Sequence, residues 1–256
     1  MDKTETGRRI ALRPVRYASV SGGKDSLYML LHILQNQSKY PLDMVVNFDL
    51  EIDWPFTKEC VSKIEELCSK AGIPFWRIRP RRSFYDYFDR YGMPGFGIRW
   101  CNNLYKLDAK RQLHSWLKSQ KCRPVAYIGF CADETKRFKY NVGEWNAENE
   151  LQDECYPLAE DGILEEDVLT WAKEQPVFSG WYRLFKRQGC MFCPFLTMKA
   201  LAFMKTRYPD KFKEFIRLWK DTIQRFGNKG FKWCNGDPDR LIERLEQKYI
   251  PMLEEE

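Results

Sequence analysis

The residues Ser21 to Ser26 read Ser-Gly-Gly-Lys-Asp-Ser and lie between an apolar run and an amphipathic run. This order predicts a strand, a glycine turn and a helix. Two adjacent glycines let the backbone turn sharply and point successive N–H groups at one spot. The start of the helix adds unpaired N–H groups and a positive dipole end, so a phosphate chain fits there. The alternative is an ordinary Ser/Gly loop with a solvated lysine.

The side chains of this loop suit a polyphosphate. Lys24 supplies a positive charge, and the hydroxyls of Ser21 and Ser26 can donate to phosphate oxygens. Asp25 would repel a bare anion, so we expect it to cap the turn or to meet a Mg²⁺ ion. The spacing differs from the Walker pattern G-x-x-x-x-G-K-[ST], which argues against a standard P-loop NTPase.

A second candidate segment, residues 128–137, follows a later predicted strand. Gly129 would close that strand and permit a near approach of phosphates, while Arg137 can grip them with a planar fork. Asp133 and Glu134 would hold Mg²⁺ or order the arginine. The alternative is a salt-bridged structural turn.

Three of the nine cysteines have spacings that favour a metal centre. Cys190 and Cys193 form C-x-x-C followed by Pro194, and Cys101 is a distant third thiol. Thiolates at C-x-x-C spacing can face one metal without backbone strain, and the third arrives through folding. A fourth thiolate would close a cluster or build a zinc site, and the candidates are Cys131, Cys155 and Cys234. A redox dithiol and inert buried thiols remain alternatives.

Apolar runs alternate with amphipathic stretches in the first half, which predicts βαβ units. We therefore expect an α/β fold, a doubly wound and mostly parallel sheet with a C-terminal helical extension. Domain boundaries are expected at 1–160 for the nucleotide-binding unit and 161–256 for the cysteine loop and helices. The predicted strands are 15–20, 43–49, 75–79 and 124–130. The predicted helices are 26–37, 57–71 with Thr57 as its N-cap, 104–120, 167–174, 197–207, 210–226 and 238–255.

The amino-acid composition narrows the possible classes of protein and ligand. Net charge is +6, with 42 basic and 36 acidic residues, which suits a polyanionic small molecule or a nucleic acid. No apolar run approaches a membrane span, and the first nine residues show no secretory h-region. We expect a cytoplasmic protein without a membrane partner. His32 and His114 both lie in predicted helices and are expected to be structural.

The loop Ser21–Ser26 resembles the PP-loop of the adenine nucleotide alpha hydrolase superfamily. Residues 128–137 resemble that superfamily's G-x-x-x-D-E-[ST]-x-x-R segment, and the three cysteines resemble those of its cluster-bearing members. The overall resemblance, over roughly residues 15–195, is to the phosphoadenosine phosphosulfate (PAPS) reductase-like branch. It implies a parallel doubly wound sheet, ATP and Mg²⁺ as ligands, and chemistry at the α-phosphate.

The resemblance also implies residue roles. Lys24, Asp25 and Arg137 would be catalytic, and Cys101, Cys190 and Cys193 would hold a [4Fe–4S] cluster, with Zn²⁺ as the alternative. Asp49 lies in a segment that matches the family in part, and it is placed to meet adenine or ribose. The nucleotide-binding set is completed by residues of both segments, namely Ser21, Gly22, Gly23, Lys24, Asp25, Ser26, Gly129, Asp133 and Glu134.

The expected function is adenylation of an acceptor with release of pyrophosphate, coupled to sulfur transfer at the three cysteines. RNA, DNA or a small metabolite would be the acceptor, and a sulfur donor protein or a second copy of the chain would be a partner. One alternative is sulfonucleotide reduction with Cys234 as nucleophile, although the Glu-Cys-Gly-x-His tail of such enzymes is absent. The other is a nucleotide-binding or nucleic-acid-binding module without turnover.

Overall fold

A five-stranded, all-parallel sheet forms the centre of the molecule. The computed structural model describes residues 12–95, 97–138, 153–227 and 233–254. The strand order is β3-β2-β1-β4-β5. The strands are β1 Arg13–Ser19, β2 Met44–Phe48, β3 Phe75–Ile78, β4 Cys122–Tyr127 and β5 Glu154–Cys155. This arrangement confirms the predicted doubly wound α/β class.

Strands β1 and β2 lie inside the sheet, each between two parallel neighbours. Ala18 of β1 is paired with Val45 of β2 on one side and with Tyr127 of β4 on the other. The first four residues of β2 are all buried, as expected for a strand covered on both faces. The one polar member of that run, Asn47, donates from its side chain to the carbonyl of Val20 at 2.8 Å.

Helices connect the strands and form the C-terminal extension. The α-helices are α1 Lys24–Gln35, α2 Pro55–Lys70, α3 Phe84–Tyr91, α4 Leu107–Ser119, α5 Pro157–Glu160, α6 Glu165–Lys173, α7 Trp181–Leu184, α8 Met198–Arg207, α9 Pro209–Phe226, α10 Pro238–Arg244 and α11 Ile250–Glu254. A π-helical turn, Cys101–Lys106, leads into α4, and a second one, Leu245–Tyr249, joins α10 to α11. Short 3₁₀ turns occur at Thr135–Arg137, Pro176–Phe178 and Trp233–Gly236.

One large buried cluster joins the sheet to the helical extension. It runs from Ala18 of β1 through Trp54 and Phe192 to Trp219 of α9 and Leu245. A smaller cluster lies on the other face of the sheet, under α4, and contains Tyr17, Met44, Val46, Leu113, Leu117 and Ala126. Residues on both sides of position 160 therefore share one core, and the domain boundary stays a prediction.

Several element boundaries differ from the sequence prediction for local reasons. Helix α1 begins at Lys24 rather than Ser26, with Gly23 as its N-cap. Helix α2 begins at Pro55, because proline suits the first helical turn, so Thr57 is not its N-cap. Strand β4 ends at Tyr127, two residues before Gly129. The predicted helix 238–255 contains the π-helical turn, and its last residue lies outside the described part of the chain.

Helix α3 and strand β5 were not predicted. Aromatic residues fill Phe84–Tyr91 and favour strands, yet a capping box overrides that preference. The Ser83 hydroxyl accepts from the Asp86 amide at 3.0 Å, and the Asp86 carboxylate accepts from the Ser83 amide at 2.8 Å. This Ser-x-x-Asp signal was readable in the sequence.

Within the described ranges no helix has the length and apolar character that crossing a bilayer requires.

Candidate active site

A cavity of about 540 Å³ lies beyond the carboxyl ends of β1, β2 and β4. The strand order reverses between β1 and β4, and ligands of open α/β sheets bind at such a switch point. The loop after β1 and the segment after β4 both reach this cavity. Its lining includes Ser21, Gly23, Lys24, Asp25, Ser26, Asp53, Thr57, Lys106, Gly129, Phe130, Glu134, Arg137, Glu165, Tyr182, Arg187, Gln188 and Cys190.

The loop at the end of β1 is held by its own hydrogen bonds. The Ser26 hydroxyl accepts from the Ser21 amide at 3.1 Å and donates to the Gly23 carbonyl at 3.0 Å. The hydroxyls of Ser21 and Ser26 are 3.2 Å apart. Gly22 has φ +78°, and a Cβ there would lie 2.8 Å from the Thr57 carbonyl oxygen. The serines thus shape the turn, and they also line the cavity.

Tyr182 anchors the first residue of α1 from a distant part of the chain. Its hydroxyl accepts from the Lys24 amide at 2.9 Å and donates to the side chain of Gln188, also at 2.9 Å. Gln188 in turn donates to the Thr57 hydroxyl. Burial raises the pKa of Tyr182 well above its usual value, so the hydroxyl keeps its proton. Sequence reasoning missed Tyr182 and Gln188, because no local pattern marks a contact across 158 residues.

The Lys24 ammonium group is buried and paired. It lies 2.6 Å from the Asp25 carboxylate and 3.6 Å from that of Glu165. Burial raises the pKa of Asp25; Lys24 opposes this shift, while Glu134 and Glu165 add to it. The Cys131 thiol also contacts the Asp25 carboxylate, at 3.9 Å.

Gly129 allows the segment after β4 to lie directly against the backbone at the start of α1. A Cβ at this position would lie 2.6 Å from the carbonyl oxygen of Asp25. The requirement for glycine therefore comes from the start of α1, and the same glycine also lines the cavity.

Arg137 and Glu134 line the cavity as a pair. The guanidinium lies 2.6 Å from the Glu134 carboxylate and 3.9 Å from the centroid of the Phe130 ring. Two further predicted ligands are directed elsewhere. The Asp133 carboxylate accepts from the Glu165 amide at 3.1 Å, and the Asp49 carboxylate accepts from Arg79 at 2.7 Å. Neither aspartate lines the cavity. Gly22 does not line it either, and instead contacts Thr57 of α2.

The cysteine pair lies at the border of two cavities. Cys190 lines the cavity of the loop, whereas Cys193 lines a second cavity of about 910 Å³. Four residues line both cavities: Glu165, Arg187, Gln188 and Gly189. A hydrogen bond from the Cys190 thiol lowers the pKa of Cys193 below its usual value. The same bond, together with burial, raises the pKa of Cys190.

Lys106 stands among the three predicted metal ligands. The nearby Cys190 thiol raises the pKa of Lys106, and Asp53, Cys101 and Cys193 add to this effect against burial. Burial raises the pKa of Cys101, and Lys106 opposes it. Burial also raises the pKa of Asp53 to about 6. Lys106 and Asp53 were not predicted as site residues.

The three thiols do not form a closed metal site as arranged here. In the described parts of the chain, no three His, Cys, Asp or Glu side chains converge closely enough to hold a metal ion. The [4Fe–4S] cluster and the zinc alternative both stay predictions.

The remaining cysteines and the histidines lie outside the cavity lining. Cys234 lies in the Trp233–Gly236 turn with φ +46°, and Cys155 is buried in β5. His32 lies 2.6 Å from the Asp161 carboxylate. His114 shares a 2.9 Å hydrogen bond with the Tyr17 hydroxyl. Both histidines thus have structural partners.

Fold and site together define a doubly wound α/β protein with a glycine turn, a buried lysine and a cysteine pair at its switch point. No protein-family model matches the chain. It is 26% identical over 247 residues to the uncharacterized protein MJ0973 of Methanocaldococcus jannaschii, covering 90% of this chain and 56% of that protein. It is 23% identical over 220 residues to the uncharacterized protein MJ0066 of the same organism, covering 85% and 43%. The chain thus spans about half the length of these curated relatives.

Among solved structures, the chain is similar to the U34-tRNA thiolase NcsA from Methanococcus maripaludis with its [4Fe–4S] cluster. The TM-score is 0.39 at 16% sequence identity, covering 93% of this chain and 84% of that one.

Proposed function

We propose that this chain is an ATP-dependent enzyme that adenylates an acceptor, releases pyrophosphate, and then transfers sulfur from its cysteine pair. The observation that carries the proposal is the lining of one cavity by both Lys24 and Cys190. A nucleotide held at the loop would place its inner phosphate within the same enclosure as a thiol.

The loop half of the cavity suits binding of the outer phosphates. The N-terminus of α1 opens onto it, and a helix start attracts anions. Lys24, Arg137 and Arg187 bring three cations to the lining. These groups would stabilise the charge that develops as pyrophosphate leaves, so positioning and electrostatics supply the acceleration. An acceptor oxygen would attack the α-phosphorus and become linked to AMP.

The thiol half suits the second step. A sulfur donor protein that carries a persulfide would first pass its outer sulfur to the Cys190 thiolate and leave as a thiolate. The Cys190 persulfide would then attack the adenylated carbon, and AMP would leave. The Cys193 thiolate would then attack the Cys190 sulfur, which forms a disulfide and frees the thiolated product. An external thiol reductant restores the pair. Cys193 is within hydrogen-bond distance of Cys190, so its sulfur is placed to attack the Cys190 sulfur.

A bound [4Fe–4S] cluster would supply an iron position for sulfide, with Cys101, Cys190 and Cys193 as its thiolate ligands. The soft donor set fits iron, but the spread of the thiols around Lys106 does not. The proposed steps therefore use the cysteine sulfurs themselves and no cluster. ATP, Mg²⁺ and an RNA, DNA or small-metabolite acceptor are likewise proposed, and unlike the cluster, ATP and the acceptor take part in the steps above.

Product analysis tests the first step. The full chain is incubated with ATP and Mg²⁺, with and without candidate RNA, DNA or small acceptors, and the nucleotide products are separated. We expect AMP and pyrophosphate, in amounts that depend on the acceptor. ADP and phosphate would contradict α-phosphate chemistry, and no release with any acceptor would favour a binding module.

Matched cysteine variants separate sulfur transfer from sulfonucleotide reduction. Cys190→Ser should keep pyrophosphate release and lose sulfur incorporation, whereas Cys234→Ser should keep both. Cys234 lies outside the cavity lining, so a reaction that depends on Cys234 alone would contradict the proposal.

A further inference from the structure

Glu165 connects two cations that a polyphosphate would need. One oxygen of its carboxylate lies 3.6 Å from the Lys24 ammonium, and the other lies 3.4 Å from the Arg187 guanidinium. Lys24 is almost completely buried, with 1% of its side chain exposed, whereas Glu165 is 26% exposed. The carboxylate thus occupies the space between the loop lysine and an arginine from the segment before the cysteine pair.

The position of Glu165 is fixed by its backbone. Its amide donates to the Asp133 carboxylate at 3.1 Å, and the amide of Leu164 donates to the Asp167 carboxylate at 3.0 Å. Glu165 is the first residue of α6, where the helix dipole favours an acidic side chain. The side chain alone can move while the helix start stays in place.

The contacts of Glu165 with Lys24 and Arg187 affect phosphate binding because acidic and basic residues are equally numerous in the cavity lining. Four acidic residues (Asp25, Asp53, Glu134 and Glu165) and four basic ones (Lys24, Lys106, Arg137 and Arg187) line it. The formal charges cancel, so the lining as a whole does not attract a polyanion. Three of these cations, Lys24, Arg137 and Arg187, are paired with carboxylates of the lining, so a triphosphate gains them only by displacing those carboxylates.

We propose that Glu165 is a positioning residue that stands in for nucleotide phosphates in the ligand-free protein. Its carboxylate holds Lys24 and Arg187 in place and competes with incoming phosphates for both. Nucleotide binding displaces it, and the freed carboxylate has space to turn toward the second cavity, which it also lines. This inference rests on the proposed nucleotide site and adds a device that sets its affinity.

The test is calorimetric titration of this chain with ATP and with AMP. Glu165→Gln keeps the size of the side chain and removes its charge. We expect ATP to bind about five- to tenfold more tightly to this variant, because two ion pairs no longer compete. AMP should gain less than about twofold, since in the proposed binding mode its phosphate takes the α position and does not enter the place of the outer phosphates beside Lys24 and Arg187. A residue that only supports the fold would not produce this dependence on phosphate number.

Glu166→Gln is the matched control, because it makes the same charge change at an exposed neighbour. It should leave both affinities unchanged, and an equal gain in both variants would overturn the inference by assigning the effect to net charge. Thermal unfolding of the two variants checks that the fold is intact.

The remaining outcomes each decide the question. ATP binding by the wild type with no gain in Glu165→Gln overturns the role of Glu165 and leaves the proposed function standing. A loss of affinity that appears only with Mg²⁺ would make Glu165 a metal ligand and overturns it as well. No ATP binding by either chain defeats the proposed function, and this inference with it. Binding by the variant alone supports both.

Discussion

The two halves of the cavity are built in different ways. The loop half comes from six consecutive residues and a glycine that touches them, and its contacts are set by backbone geometry at Gly22 and Gly129. The thiol half is assembled from separate segments around the side chain of Lys106. A contiguous turn fixes its own shape, whereas a cluster gathered from distant segments depends on the whole fold. Altering the backbone of the loop half should therefore lower the free energy of unfolding and abolish ATP binding. Altering the thiol half should instead reduce sulfur transfer while stability is largely kept.

Gly129→Ala is the strongest way to break the loop half. The added Cβ would lie 2.6 Å from the Asp25 carbonyl oxygen, so β4 and α1 must separate. We expect a loss of about 2–3 kcal/mol in the free energy of unfolding, together with loss of ATP binding. Denaturant unfolding measures the first effect. Gly97→Ala is the control, since a Cβ there meets nothing within 4 Å, and equal losses in both variants would refute the steric explanation.

Cys190→Ser tests whether the thiol half can lose chemistry while keeping its shape. A hydroxyl does not replace a thiolate nucleophile, so we expect sulfur incorporation to fall by about a hundredfold or more. The free energy of unfolding and ATP affinity should stay close to those of the wild type. Loss of ATP affinity in this variant would show that the two halves are not separable.

Tyr182→Phe tests the one described contact by which a later segment holds the amide of Lys24. It leaves that buried amide without the hydroxyl at 2.9 Å, so we expect a destabilisation of about 1–2 kcal/mol, measured by denaturant unfolding. Tyr28→Phe is the control, because the Tyr28 ring packs edge-on against Trp171, and none of the described hydrogen bonds joins its hydroxyl to the Lys24 amide. Similar losses in the two variants would contradict an anchoring role for the Tyr182 hydroxyl.

Titration of His114, on the opposite face of the sheet, should have the smallest effect on stability. It should leave both halves of the cavity unchanged. Burial lowers the pKa of His114 to about 4, so the folded state favours the neutral ring. The resulting stability is present above about pH 6.5 and is lost as the pH falls toward about 4. Because His114 is partly exposed, we expect the wild type to lose only about 1–2 kcal/mol more than His114→Gln over this range. Thermal unfolding at both pH values measures the difference, and parallel losses would contradict it.

The part of the site that could be predicted from the sequence is the part made by neighbours in the chain. The strand, glycine turn and helix around Lys24, the glycine after β4, and the cysteine pair each carry a local signal. Tyr182, Gln188, Glu165 and Arg187 carry none, because their roles arise from contacts across more than twenty residues. The same limit explains Asp49, whose position after β2 suggested a ligand role while its carboxylate pairs with Arg79.

The arginines of residues 77–81 show the same limit of sequence-based prediction. Arg77, Arg79 and Arg81 are close in sequence, and such clusters can indicate nucleic-acid binding. In the fold, they pair with Glu65, Asp49 and Asp108 respectively. Those carboxylates come from three different segments, so the sequence cluster could not reveal how much of its charge is already balanced.

A crystal structure of the chain with a non-hydrolysable ATP analogue tests the proposed site most directly. We expect the outer phosphates at the Ser21–Ser26 loop, with Glu165 displaced from Lys24 and the α-phosphorus open to the side of the cavity that Cys190 lines. A triphosphate bound elsewhere, or bound at the loop with protein walling off its α-phosphorus from Cys190, would contradict it.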